Sequence, residues 1–185
     1  MGPDRLPPLP EGSLSPAQKR AAAELATGPR GAVFGPFVPL LRSPDFLSPL
    51  QKAGEYLRYK SAFPPRLSEF AILIVARRWS QQFEWHIHGP IAQRSGVPAA
   101  HIRAVAEGRR PDDMAADETV VHDFLQELQN NRSVSDSTYG RAVELFGERG
   151  VIDLCGICGY YTTLAMVMNV ARTALPDGVS PPLEP

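Results

Sequence analysis

Prolines stand at or just before the start of one apolar-periodic segment after another: Pro16, Pro44, Pro65 and Pro98. Proline fits the first turn of a helix, where its missing N–H has no intrahelical partner, and it breaks a sheet interior. The segments behind these prolines carry apolar residues three and four apart, as in Val120, Val121, Phe124, Leu125 and Leu128. That is the period of an amphipathic helix. Strand-like alternation between hairpin turns is absent, and so is any repeat of roughly 20 to 50 residues. The chain is predicted to be all-α.

Residues 1–14 read as an extended, Pro-rich arm able to wrap a neighbouring subunit, residues 15–176 as one helical domain, and 177–185 as a Pro-rich tail. The first helix is predicted over Pro16–Leu25 with Ser15 as its cap, followed by a loop over residues 31–43. Further helices are expected from Ser43-Pro44 through Leu57, over Leu67–Arg78, Gln81–Ser95, Pro98–Ala106 and Ala115–Asn130. Gly96 is a left-handed cap candidate. Ser135 caps a helix through Leu145, and a long apolar helix follows over Arg149–Leu175, ended by Pro176-Asp177-Gly178.

At 185 residues the chain supports one well-buried domain. Its 19 basic and 20 acidic residues give a formal charge of −1, which removes any general electrostatic case for nucleic acid or an anionic membrane as partner. No uncharged apolar run is long enough for a bilayer, and MGPDRLPPLPEGS has no apolar core of a secretory signal. Two cysteines are too few for a disulfide framework, so a cytoplasmic location is expected.

Chemistry concentrates in QQFEWHIHGPIAQRSG, residues 81–96. In a helix, Glu84 and His88 are four apart and share a face with Ile91, Ala92 and Ser95. Such a pair either stabilises the helix or lets a carboxylate orient an imidazole for proton transfer. Glu69 shares a face with Ile72, Leu73 and Ala76. It either complements the helix dipole or is an acid that the next helix desolvates for catalytic use. His86 points away from both in a helix, and only a strand would make His86 and His88 an H-x-H metal motif. No metal is expected. His101 and His122 have no motif around them. Pro90 removes the hydrogen bond to the His86 carbonyl and should kink the helix beyond His88.

The stretch RLSEFAILIVARRWSQQFEWHIHGPIAQRSGV resembles the carboxymuconolactone decarboxylase and alkylhydroperoxidase D-like superfamily. The resemblance runs from about Leu40 to Leu175, through LRSPDFLSPLQKAGEYLR, VVHDFLQEL and VIDLCGICGYYTTLAMVMNVAR. It implies a single-domain helical bundle of the alkylhydroperoxidase D type and a homo-oligomer, a trimer or a multiple of trimers. The redox branch of that superfamily carries C-x-x-C, a histidine four residues after it and a glutamate twelve before it. By that pattern Gln81 and Glu84 occupy the cysteine positions, while His88 and Glu69 match the histidine and the glutamate. A thiol peroxidase cycle at this motif therefore has no nucleophile. The decarboxylase branch has Glu and His at the spacing of Glu84 and His88 but no acid at the Glu69 position, so the chain departs from both.

The resemblance implies a small, cofactor-free lyase acting on a carboxylated lactone or keto acid. His88 would be the proton acceptor or donor, Glu84 would orient it, and Glu69 would be a second acid protonating the carbanion left by carbon dioxide. Trp85, Tyr160 and Tyr161 are the candidates for substrate contact, and Arg66, Arg77 or Arg78 for anchoring a carboxylate. Cys155-Gly-Ile-Cys158 lies near the second turn of an apolar helix rather than at its start, and reads as a pair of buried small hydrophobes. Two other functions fit the sequence: a peroxidase-like antioxidant working through those thiols, and a binding or scaffold protein that kept the fold without chemistry.

Overall fold

Leu67, Ser68, Glu69, Phe70, Ala71, Ile72, Leu73, Ile74, Val75 and Ala76 are all buried, so one helix is covered on every side. A helix enclosed all round must be the centre of the core. The structure is a computed structural model that describes residues 2–184; Met1 and Pro185, the outermost residues of the arm and tail, lie outside the described residues. Its helices in chain order are α1 (Pro16–Thr27), α2 (Phe37–Leu40), α3 (Pro44–Tyr59), α4 (Pro65–Arg78), α5 (Gln82–Arg94), α6 (Ala99–Ala106), α7 (Ala116–Asn131) and α8 (Asp136–Ala171). The enclosed helix is α4, surrounded by α5, α6, α7 and α8, while α3 packs on α1, α2 and α8. The result is the all-helical, single-domain bundle expected from the sequence.

Local chemistry explains most boundaries. Ser15 and Gln18 form a capping box: the Ser15 N–H donates to Gln18 Oε1 at 2.9 Å, and the Gln18 N–H donates to Ser15 Oγ at 3.3 Å. Ser135 Oγ likewise accepts from the Thr138 N–H at 3.2 Å to open α8. Gly96 ends the turn after α5 at φ 97°. Inside α8, Gly147 at φ 67° and ψ 172° is not helical and separates two helical segments, the break expected between Leu145 and Arg149.

Three expectations need correction. Residues 31–43 contain the short helix α2, a single turn that buries Phe37 and Leu40. α8 stops at Ala171 rather than Leu175, because Arg172 takes the left-handed conformation at φ 57°. Finally, α8 is by length and composition apolar enough to cross a membrane, yet more than half of its apolar window is packed inside the fold. Its long apolar run belongs to the core, where it buries Leu154, Ile157, Leu164 and Met168.

Both ends of the chain lie on the body. The Arg5 N–H donates to the Ala171 carbonyl at 2.7 Å, and the Arg42 guanidinium donates to the carbonyls of Leu6 and Pro7. At the other end Leu183 is buried, and its backbone exchanges two hydrogen bonds with the Gln82 amide, at 2.9 and 3.0 Å.

Candidate active site

α4 and α5 pack directly on one another, and their contact brings His88 Nδ1 to 2.6 Å from Glu69 Oε2. Both side chains are buried. The partner of His88 is thus an acid from the neighbouring helix, not Glu84 one turn away on its own. Glu84 is also buried, and its Oε2 has no hydrogen-bond partner. Burial raises its pKa well above the usual carboxyl range, which favours the protonated acid.

α8 closes the other side. The Tyr161 ring meets His88 edge-on at 5.3 Å, and Tyr160 meets Tyr161 edge-on at 5.2 Å. Burial pushes the Tyr160 hydroxyl up to about 12 and raises that of Tyr161 well above its ordinary value, so both stay phenols. Tyr160 sits where it does because residue 54 is glycine: a Cβ there would overlap the phenol. Its hydroxyl lies 3.1 Å from a terminal nitrogen of Arg30, which donates to it.

Glu84, His88 and Tyr161 face a cavity of about 30 Å³, bounded also by Arg58 of α3 and by Arg30, Phe34 and Phe37 from the strap between α1 and α3. That volume is about what one water molecule occupies. Trp85 is buried away from this cavity, its indole nitrogen directed toward Gly89, and Tyr160 is set behind Tyr161. None of Arg66, Arg77 and Arg78 borders it. Arg66 instead pairs with Asp117 and, at 2.6 Å, with Glu118. The cations at the cavity are Arg30 and Arg58, which sequence reasoning missed. Arg30 lies in a Gly-Pro-Arg-Gly loop with no period, and nothing in the sequence around Arg58 marks it out from the other basic residues of its helix.

Gln81, at the first cysteine position of the redox pattern, is the cap of α5. Its Oε1 accepts from the N–H groups of Phe83 at 2.7 Å and Glu84 at 3.2 Å. Its amide nitrogen donates to Asn169 Oδ1 at 2.9 Å, tying the start of α5 to α8. The two cysteines are free and stand outside the cavity. Cys158 is buried, as expected, but Cys155 is exposed. Burial raises both thiols, Cys158 to about 11 with the neighbouring Cys155 adding to it, so neither is poised as a thiolate. Among the described residues no three His, Cys, Asp or Glu side chains gather as metal ligands would. His101 is buried 3.2 Å from Glu118, and His122 is buried beside Arg110 and Asp123.

No family model and no curated protein matches this chain. Among solved structures, an uncharacterized peroxidase-related protein with an alkylhydroperoxidase AhpD core, from Ralstonia eutropha JMP134, superimposes with a TM-score of 0.75. The two are 16% identical, and the match covers 96% of this chain and 95% of that one. At such low identity the likeness establishes the fold: this chain has the architecture of that alkylhydroperoxidase core.

Proposed function

We propose that the chain is a cofactor-free enzyme that moves a proton on a small carboxylated lactone or keto acid, with loss of carbon dioxide. The observation that carries this reading is the buried His88–Glu69 pair at 2.6 Å, with His88 bordering the same cavity as Glu84, a buried carboxyl whose Oε2 has no hydrogen-bond partner among the described residues. With Glu69 ionised, His88 Nδ1–H donates to it, and the carboxylate fixes the ring and leaves Nε2 as the basic nitrogen. Glu69 is then the orienting residue and Glu84 the proton-bearing acid, an exchange of the roles that the resemblance implied. When the bond to carbon dioxide breaks, its electron pair passes into the substrate carbonyl as an enolate. The Glu84 proton then goes to the carbon of that enolate.

The test is a panel of small lactone acids and keto acids, followed by carbon dioxide release. His88→Gln and Glu69→Gln should each lower turnover by roughly 10²- to 10⁴-fold, the usual contribution of a positioned acid or base. Unchanged turnover in His88→Gln would sink the reading.

The peroxidase-related description of the structural neighbour favours a second reading, hydroperoxide reduction. It requires Cys155 and Cys158, because the cavity itself has no thiol. Peroxide turnover that disappears in the double Cys155→Ser, Cys158→Ser variant would establish it; turnover that persists in that variant, or is absent from the wild type, would remove it.

Copies of the chain are proposed to assemble in the cytoplasm as a homo-oligomer, a trimer or a multiple of trimers. In support, Phe46, Met166 and Val170 are 47%, 41% and 64% exposed along one apolar groove, which a second copy would cover. Sedimentation of the wild type and of Val170→Asp measures this directly, the variant being expected to dissociate.

A further inference from the structure

The candidate cavity holds two complementary loose ends. Arg30 Nε is buried without a hydrogen-bond partner among the described residues, and so is Glu84 Oε2. Arg30 is nevertheless fixed in place: a terminal nitrogen donates to the Tyr160 hydroxyl at 3.1 Å, and the guanidinium carbon stands 4.5 Å from the centre of the Phe37 ring. An unsatisfied buried donor is costly, and a guanidinium edge held by stacking is pre-organised for a planar acceptor.

Charge points the same way. Arg58 borders the cavity and, like Arg30, belongs to no ion pair among the described residues; its guanidinium stands 5.4 Å from the Tyr59 ring centre. Two guanidinium cations thus border the cavity, and Glu84 is the acid on its wall; Glu69, paired with His88, does not border it. Burial favours the protonated form of Glu84, which offers an O–H and adds no negative charge.

We infer that Arg30, assisted by Arg58, is the anchor for the carboxylate of a small anionic ligand in this cavity. The Nε–H of Arg30 and a terminal N–H form the fork that a carboxylate accepts bidentately. A protonated Glu84, on the wall of the same cavity, is a further donor to that ligand. The cavity of about 30 Å³ is the size of one small group, which matches the carboxylate of a ligand rather than its whole body. The assignment rests on the acid–base reading only in taking this cavity as the ligand site.

Acetate is the probe, with acetamide, similar in shape and uncharged, as the control. Both are titrated into the full chain while the His88 imidazole C–H signal is followed by NMR. Acetate should saturate and acetamide should not. Arg30→Met should weaken acetate binding by about tenfold or more, the scale of one charged hydrogen bond, and Arg58→Met should weaken it by less. The proposal is overturned by a wild type that gives no saturable acetate response, by equal affinities for acetate and acetamide, or by an Arg30→Met protein that binds as tightly as wild type. Should Arg30→Met unfold, Arg58→Met decides, because it leaves the strap contacts intact: wild-type affinity in that variant counts against the proposal. Turnover separates the two ideas. If His88→Gln abolishes turnover while Arg30→Met changes neither acetate affinity nor KM, the anchor fails and the acid–base reading stands. If acetate binding needs Arg30 while His88→Gln turns over normally, the anchor stands and that reading fails.

Discussion

Glu84 and Glu69 are both glutamates buried within a few per cent of completely, yet the fold treats them differently. Glu69 is paired with an imidazole, and Glu84 Oε2 is left without a partner. A carboxyl held above its ordinary value, near 4.5, binds its proton more tightly in the folded chain than in the unfolded one. Its contribution to stability is therefore complete below pH 4.5 and is lost as pH rises toward the folded value. Glu84→Gln should flatten that decline. Denaturant unfolding from pH 4 to 8 would give a shallower slope for the variant, and parallel curves would show that Glu84 carries no such linkage. The sequence made these residues visible as candidates but not as partners. Spacing within one helix reveals only neighbours on that helix, so Glu84 and His88 paired on paper. The acid that meets His88 comes from nineteen residues upstream, across a helix–helix contact. Arg30 was invisible for a related reason: a loop residue has no period from which to read its direction.

At the scale of the element, caps and close approaches decide whether the site is held in place. Gln81 joins the first turn of α5 to α8, and its replacement by alanine removes a cap and an interhelical hydrogen bond together. Thermal or urea denaturation of Gln81→Ala should show a loss of about 1–2 kcal/mol. Gly54→Ala should cost about 1–3 kcal/mol by overpacking against Tyr160, and it should disturb the Tyr160–Arg30 contact as well. Helix existence was legible throughout because the apolar period and the prolines agree. The departures were places with no such signal. α2 is a single turn, too short to display a period. The end of α8 is set by an arginine in the left-handed conformation, a role that sequence ordinarily signals with glycine or asparagine.

For the whole molecule, the enclosed position of α4 dictates the arrangement of everything else: each later helix covers part of it, and α8 returns to seal the side that carries Glu69. The resemblance in the α4–α5 stretch thus pointed to the right fold, although the chemistry differs at the two cysteine positions. The terminal segments, expected as an extended arm and a Pro-rich tail, contribute too. Removing residues 181–185 should destabilise the chain by about 2–3 kcal/mol, from the exposure of Leu183 and the loss of its backbone hydrogen bonds, as read by a lower Tm. The clamp between Gln82 and Leu183 spans 101 positions of sequence. During translation, every side chain that borders the cavity leaves the ribosome before the residue that fastens the first turn of α5. A nascent chain therefore possesses all of the proposed chemistry before it possesses the last brace on the helix that presents it.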